Sequence, residues 1–393
     1  MSNSCRVCGS PVDTFHSFPK ISLLNKPVER PLPETSARMD LSYCGRCRHI
    51  SSYLESTQDI EALMKKIYLE LYETMSTTTL SPSQEKFTLH MGTWLAEIAK
   101  GSKKKILEIG SHDGFLLNCL KQQGHDVIGV EPSPFAKSSS EKYGIEVRQD
   151  FFTDGMFSEK SFDLIIARHV VEHVPAPTEF VKSIARCLKP NGMLYIEVPN
   201  SLGSLAACFF PEFHADHISY FTPSSLIWML REVGLGDFSH FESFDAYMSF
   251  PFMGALVKPG KSDGPEYGFA IQNYKIPDYL ARFSNNFKTY QTNLSQLSSD
   301  NSVGVWGAGS IGNRFAIDGN FQEAKKYFDI NPLNVGKRLS ITGNKVYSAT
   351  QIPEMGIQKI LLATGWENDA SKQLRTAAGP HIRSIRFSEL LSA

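Results

Sequence analysis

His214, Asp216, His217, Tyr220 and Phe221 crowd into eight residues of the stretch PEFHADHISYFTPSSL. Imidazoles exchange protons near neutral pH, a carboxylate beside them sets their charge, and aromatic rings wall off water. Such a group can move a proton on a small substrate; the plainer alternative is a packed aromatic loop with ordinary surface histidines. A second chemical set is the pair of pairs Cys5-x-x-Cys8 and Cys44-x-x-Cys47, each with a glycine, Gly9 or Gly45, that turns two sulfurs toward one point. Two such knuckles make a four-thiolate tetrahedral site for zinc, and a filled shell leaves no open position, so the metal is structural. A redox dithiol or two disulfides are the alternatives, but neither pair sits beside a thioredoxin-like strand and helix. His16 and His49 read as loop residues near this cluster, and the Pro-rich ISLLNKPVERPLPET as looped out between the knuckles. Cys119, Cys187 and Cys208 read as reduced, buried thiols.

Two glycine turns complete the inventory. KKILEIGSHDGFLL reads as a buried strand, a turn from Gly110 to Gly114 and a helix start, where backbone must approach a ligand closely. The next strand, DVIGVEPS, ends on Glu131-Pro132, about 20 residues later, where an acid can accept ribose hydroxyls. Asp150-Phe151 closes a third short strand, and FDLIIARHV, with Arg168 at its end, supplies a fourth. This pattern resembles the class I S-adenosylmethionine (SAM) methyltransferases: Glu108, Gly110 and Gly114 match their E/D-x-G-x-x-x-G turn, Glu131 the ribose acid, and Asp150 the adenine contact. The Lys-Pro-x-Gly turn and fifth strand in CLKPNGMLYIEVPN match as well. The second turn, Gly307, Gly309 and Gly312 in NSVGVWGAGSIGNRFA, is a G-x-G-x-x-G with Asp329 at the end of the following strand. Taken alone it fits a nicotinamide dinucleotide, yet a sugar-nucleotide diphosphate satisfies a helix N-terminus equally. Lys337 and Arg338 can neutralise a diphosphate there or form a solvated basic turn.

The elements that must position these groups follow from alternating apolar strands and amphipathic helices, which imply parallel sheets covered on both faces. The expectation is an α/β chain with a class I SAM methyltransferase Rossmann-like fold, an N-terminal four-cysteine zinc module and a C-terminal Rossmann-like α/β domain. Boundaries fall at 1–78, 79–257 and 258–393, with KPGKSDGPEYG as linker before a helix opened by Pro277. At 393 residues the chain is too long for one core. Hydrophobic residues at 41%, a formal charge of -1 and no long apolar run favour a soluble enzyme with neither a nucleic-acid nor a membrane partner. MSNSCRVCGS lacks signal-peptide features, so a cytoplasmic protein, a monomer or weak dimer, is expected.

The whole chain resembles the three-domain sugar C-methyltransferases that act on nucleotide-linked 4-keto-deoxysugars, including those of tetronitrose biosynthesis. That resemblance implies a small-molecule keto-sugar acceptor and methylation of the carbon next to its ketone. It assigns the base to His217, from the matching acid–histidine pair Asp216-His217, and places His173 of the Glu-His-Val-Pro stretch and Tyr72 near the acceptor. His214 departs from the family, which carries tyrosine there, and this puts sugar identity in doubt. Tyr220, Gly307, Gly309, Asp329, Asn331 and Lys337 are the implied acceptor-binding residues. The competing readings are a methyltransferase for a non-sugar metabolite and an NAD-linked oxidoreductase.

Overall fold

The computed structural model describes residues 3–32, 35–56, 59–66, 69, 82–244, 251–260 and 276–391. Between the cysteine pairs, residues 23–35 of the Pro-rich stretch connect two strands, and the chain on either side of them is paired. Alternating residues in DTFHSFPKIS and SARMDLSY pair as antiparallel β1 (Asp13–Ser22) and β2 (Ser36–Tyr43), with β3 (Ile50–Glu55) on the far edge of β2. The β1–β2 register slips between Phe18 and Ile21, where Pro19 has no N–H to donate. His16 lies on β1 rather than in a loop, His49 lies just before β3, and both are buried because they face apolar neighbours. His16 packs edge-on against Phe18, Phe283 and Phe287, and His49 against Phe221.

The central sheet is built from β4 (Lys105–Ile109), β5 (Asp126–Val130), β6 (Glu146–Arg148), β7 (Phe162–Arg168) and β8 (Leu188–Pro199), all parallel. The chain then leaves this sheet, and β9 (Ser219–Tyr220) pairs with β3 as the fourth strand of the N-terminal sheet. It returns as β10 (Asp237–Phe244) and β11 (Phe252–Lys258), with β11 antiparallel to β8. The order β10-β11-β8-β7-β4-β5-β6 reverses direction at β4, so a crevice opens at the carboxyl ends of β4, β5 and β7. This is the class I SAM methyltransferase fold expected from the sequence.

A helix, Ile276–Ser299, buries Leu280, Phe283, Phe287, Tyr290 and Leu294 along one stripe. It leads to the parallel strands β12 (Val303–Trp306), β13 (Tyr327–Asp329), β14 (Val346–Ser348), β15 (Lys359–Leu362) and β16 (Arg383–Ile385), ordered β14-β13-β12-β15-β16. Reversal at β12 places this sheet's crevice at the second glycine turn. One core joins Phe18 and Leu41 of the N-terminal sheet, Phe210 and Phe213 of the histidine stretch, and Val305 and Phe315 of the C-terminal sheet. No helix among the described residues is long and apolar enough to cross a membrane.

Candidate active site

Gly110 and Gly114 adopt left-handed backbone, φ 74° and 70°. A Cβ on Gly110 would lie 2.5 Å from Val170 Cγ2, so the turn closes onto the end of β7 only without a side chain. Glu131, at the end of β5, accepts from the backbone N–H of His112 and of Ser133, each at 2.9 Å. Glu108 is buried at the end of β4, and its Oε2 has no hydrogen-bond partner among the described residues. Burial pushes its carboxyl up to about 8. Glycine backbone, a buried carboxyl whose Oε2 has no hydrogen bond among the described residues and a second acid suit the ammonium, sulfonium and ribose of SAM. Asp150 lies just beyond β6, where its Oδ1 accepts from Phe151 N at 2.7 Å. Arg168 is committed to Glu197 at 2.9 Å, and Tyr195 donates to the same carboxylate at 2.8 Å.

The histidine stretch is held from outside the central sheet. Besides the β3–β9 pairing, Ser52 Oγ donates to the His217 carbonyl at 3.1 Å, and Tyr220, itself buried, donates to the His214 carbonyl at 2.9 Å. From the end of β7, Glu172 O accepts from Ile218 N at 3.0 Å, and His173 Nδ1 donates to Asp216 O at 2.7 Å. The rings of His214 and His173 therefore flank that of His217, with centroids 3.9 and 4.8 Å away.

Asp216 does not pair with His217, its neighbour in sequence. The chain turns at Ala215–Asp216, with His217 N donating to His214 O at 3.3 Å, and the Asp216 carboxylate bonds back to His214 Nδ1 instead. Asn25 Nδ2 donates to the same oxygen at 2.5 Å. The carboxylate facing His217 Nδ1 is Glu212, 3.7 Å away. Burial opposes the charge on Asp216, but His214 outweighs it and holds the carboxyl far below its ordinary range. Burial likewise opposes charge on His214, and Asp216 outweighs it, so His214 titrates above its ordinary value. For His217, burial and the neighbouring His214 and His173 act together and hold it well below 6.5, neutral at physiological pH. Burial pushes Glu212 up to about 7. Behind this layer, His169 bridges Glu172 at 3.3 Å and Glu197 at 3.1 Å. Burial disfavours its charge, yet the two carboxylates raise it to about 9.

The four cysteines converge. Cys5 and Cys47 sulfurs are 3.4 Å apart, Cys8 and Cys44 sulfurs 3.5 Å, and all four lie within 4.8 Å of one another. A tetrahedron with metal–sulfur bonds of about 2.3 Å has edges of about 3.8 Å, so the set fits zinc. The knuckles repeat one geometry: Gly9 N donates to Cys5 O at 2.9 Å and Arg48 N to Cys44 O at 2.8 Å, with both donors left-handed.

In the C-terminal sheet, Gly307 has φ 102°, and a Cβ on Gly312 would lie 2.2 Å from Gly307 O, so both glycines serve the tight turn into helix Ser310–Asp318. Asp329 accepts from Ala308 N at 3.2 Å and from Asn331 N at 2.9 Å. Lys337 stands 4.0 Å from Glu29, and Arg338 is occupied by Glu323 and Gly343 O. Tyr72 lies outside the described residues. Asn25, His169, Glu197 and Glu212 were missed from sequence. Glu212 had a signal, standing five residues before His217; Asn25, 191 residues from its partner, had none.

Residues 84–239 match a family model described as a methyltransferase domain. A ubiquinone biosynthesis O-methyltransferase of Histophilus somni is 27% identical over 149 residues, 34% of this chain and 63% of the relative. The C-methyltransferase NovU of Streptomyces niveus is 24% identical over 242 residues, 59% of this chain and 56% of that protein. The chain thus spans under two thirds of the length of either relative. Among solved structures, the 1,6-didemethyltoxoflavin-N1-methyltransferase of Burkholderia thailandensis is similar with a TM-score of 0.39 and 14% identity, over 57% of this chain and 96% of that one.

Proposed function

We propose that this methyltransferase domain works as a SAM-dependent C-methyltransferase on a nucleotide-linked 4-keto-deoxysugar, with His217 removing the proton from the carbon beside the ketone. The observation that carries this reading is a neutral, buried imidazole flanked by a charged histidine–carboxylate pair at the same sheet edge as the SAM crevice. A hydroxyl or amine acceptor already offers a lone pair. A carbon acceptor must first be made nucleophilic, and that takes a base together with stabilisation of the enolate oxygen.

When bound, SAM supplies an electrophilic methyl group. Glu108 and Glu131 bind and orient the cofactor from the ends of β4 and β5. His217, with Nδ1–H turned toward Glu212, takes the substrate proton on Nε2. His214, kept protonated by Asp216, places positive charge beside the developing oxyanion, while His173 is held in place by Asp216 O. The turn Gly307–Gly312 receives the acceptor's diphosphate, with Asp329, Asn331 and Lys337 around it, and Tyr72 comes from the segment after the cysteine module. The four thiolates hold a structural zinc. NovU, named as a C-methyltransferase, aligns with more of this chain than the O-methyltransferases do, which favours carbon over oxygen as the acceptor atom.

The test is incubation with SAM and dTDP-, GDP-, CDP- and UDP-linked 4-keto-deoxysugars, scored by mass spectrometry for one added methylene that survives hydrolysis of ethers and esters. His217→Ala is expected to lower turnover by roughly 10²–10⁴-fold with SAM binding intact. Near-normal turnover in that variant would remove His217 from the mechanism. Methylation of a non-sugar phenol or amine, with every keto-sugar inert, would establish the other methyltransferase class.

A further inference from the structure

Asn25 belongs to the N-terminal segment yet reaches the middle of the histidine cluster. Its side-chain amide donates to Asp216 Oδ1 at 2.5 Å. Its backbone carbonyl stands 4.0 Å from where a Cβ on Gly309 would sit, beside the second glycine turn. The segment carrying it is anchored independently of the histidines. Ser22 Oγ and Ser340 Oγ share a hydrogen bond at 2.9 Å, Val28 and Arg338 exchange backbone bonds at 2.8 Å, and Leu32 N donates to Ser340 O at 2.6 Å. Asn25 therefore presents its amide from a fixed support and does not depend on Asp216 for its own position.

The donor type matters because the site is crowded with charge. Asp216 faces His214, His217 and His173, with Glu212, Glu172 and His169 around them and Tyr220 beneath. A lysine or arginine at position 25 would compete with His214 for the carboxylate and add positive charge near the base. A carboxylate would repel Asp216. A neutral amide holds the carboxylate in place and leaves the net charge unchanged.

We propose that Asn25 is a positioning residue contributed to the acceptor site by the N-terminal module, fixing Asp216 against His214 and closing the seam between the histidine cluster and the Gly309 turn. The placement stands on geometry; its importance for turnover rests on the acceptor reading above. Two variants separate a positioning role from simple space filling. Asn25→Asp keeps the volume but replaces the donor by a second carboxylate, and Asn25→Ala removes the group.

The first measurement uses the acceptor-free protein with ¹⁵N-labelled histidine and follows the side-chain titration of His214. Asn25→Asp is expected to move it upward by about half a pH unit or more, since a second carboxylate now faces the ring. Turnover should then fall at least roughly tenfold, and further in Asn25→Asp than in Asn25→Ala, with SAM affinity retained and circular dichroism reporting an intact fold. A filler role predicts the opposite order, with the isosteric Asp the milder change. An unmoved His214 titration in Asn25→Asp would overturn the proposal whether or not an acceptor is known. A shifted titration in a protein whose parent methylates no keto-sugar would support Asn25's placement and overturn the acceptor reading alone.

Discussion

Glu108 is a carboxyl that burial keeps protonated near neutral pH, at about 8 against an ordinary 4.5, with Oε2 lacking a hydrogen bond among the described residues. A cationic ligand reverses that preference, because an ammonium beside the carboxylate favours the ionised form. With Glu108 as the proposed partner of the cofactor's charge, SAM binding is expected to drive a proton off it. Affinity should tighten as pH rises from 6 to 8, by up to about tenfold per unit, and level off above 8. Calorimetry in buffers of different ionisation enthalpy should register the released proton, and Glu108→Gln should flatten the profile. The sign for stability runs the other way. With its folded-state value raised, Glu108 adds stability that is complete below about 4.5 and lost as pH climbs through about 8, so the ligand-free protein should weaken toward alkaline pH. An affinity indifferent to pH would mean that Glu108 does not face the cofactor's charge.

Strand β9 is two residues long and belongs to two structures at once. In sequence it lies within the histidine stretch, yet its ladder partner is β3, which begins three residues after Cys47. Thr222 Oγ1 adds a bond to Arg48 O at 3.0 Å, at the second cysteine knuckle itself. The histidine stretch therefore contributes the edge strand of the N-terminal sheet, and what disorders the knuckles should disorder His217. Cys47→Ser, or chelation, is expected to release one zinc per chain and abolish acceptor turnover. SAM affinity should fall less than turnover, because the Gly110 turn is built on the central sheet while β9 is laddered directly to β3. Metal analysis and isothermal titration read the two effects separately; full turnover in the metal-free protein would uncouple the module from the site.

The N-terminal and C-terminal sheets share one core with the histidine stretch, and the cysteine knuckles share a second core with the central sheet. Glycines of the second crevice can be assigned separate duties. At Gly312 an added methyl collides with Gly307 O, so Gly312→Ala should cost about 1–3 kcal/mol of stability. At Gly309 the nearest atom is Asn25 O at 4.0 Å, so Gly309→Ala has room to fold. It should keep its melting temperature while raising the acceptor KM several-fold, since the methyl occupies the space through which a phosphate approaches the helix N-terminus. Tight binding of NADH at this turn, with acceptor affinity unaffected by Gly309→Ala, would instead mark it as a dinucleotide site.

What the sequence determined by itself was local. Gly110, Gly114 and Gly307 are legible because a left-handed turn favours glycine wherever it occurs, and Cys-x-x-Cys because two sulfurs three residues apart meet through a knuckle. The alternation of strands and helices was enough for covered parallel sheets, and the glycine turn with Glu131 and Asp150 carried the resemblance to the class I fold. Tertiary structure alone decided partners. It gave Asp216 to His214 and Glu212 to His217, brought Asn25 across 191 residues, and buried His16 and His49 in rings contributed by other modules. The physical reason is that a backbone requirement is met within a few residues. The partner of a buried charge depends on which distant segments the shared core brings alongside it.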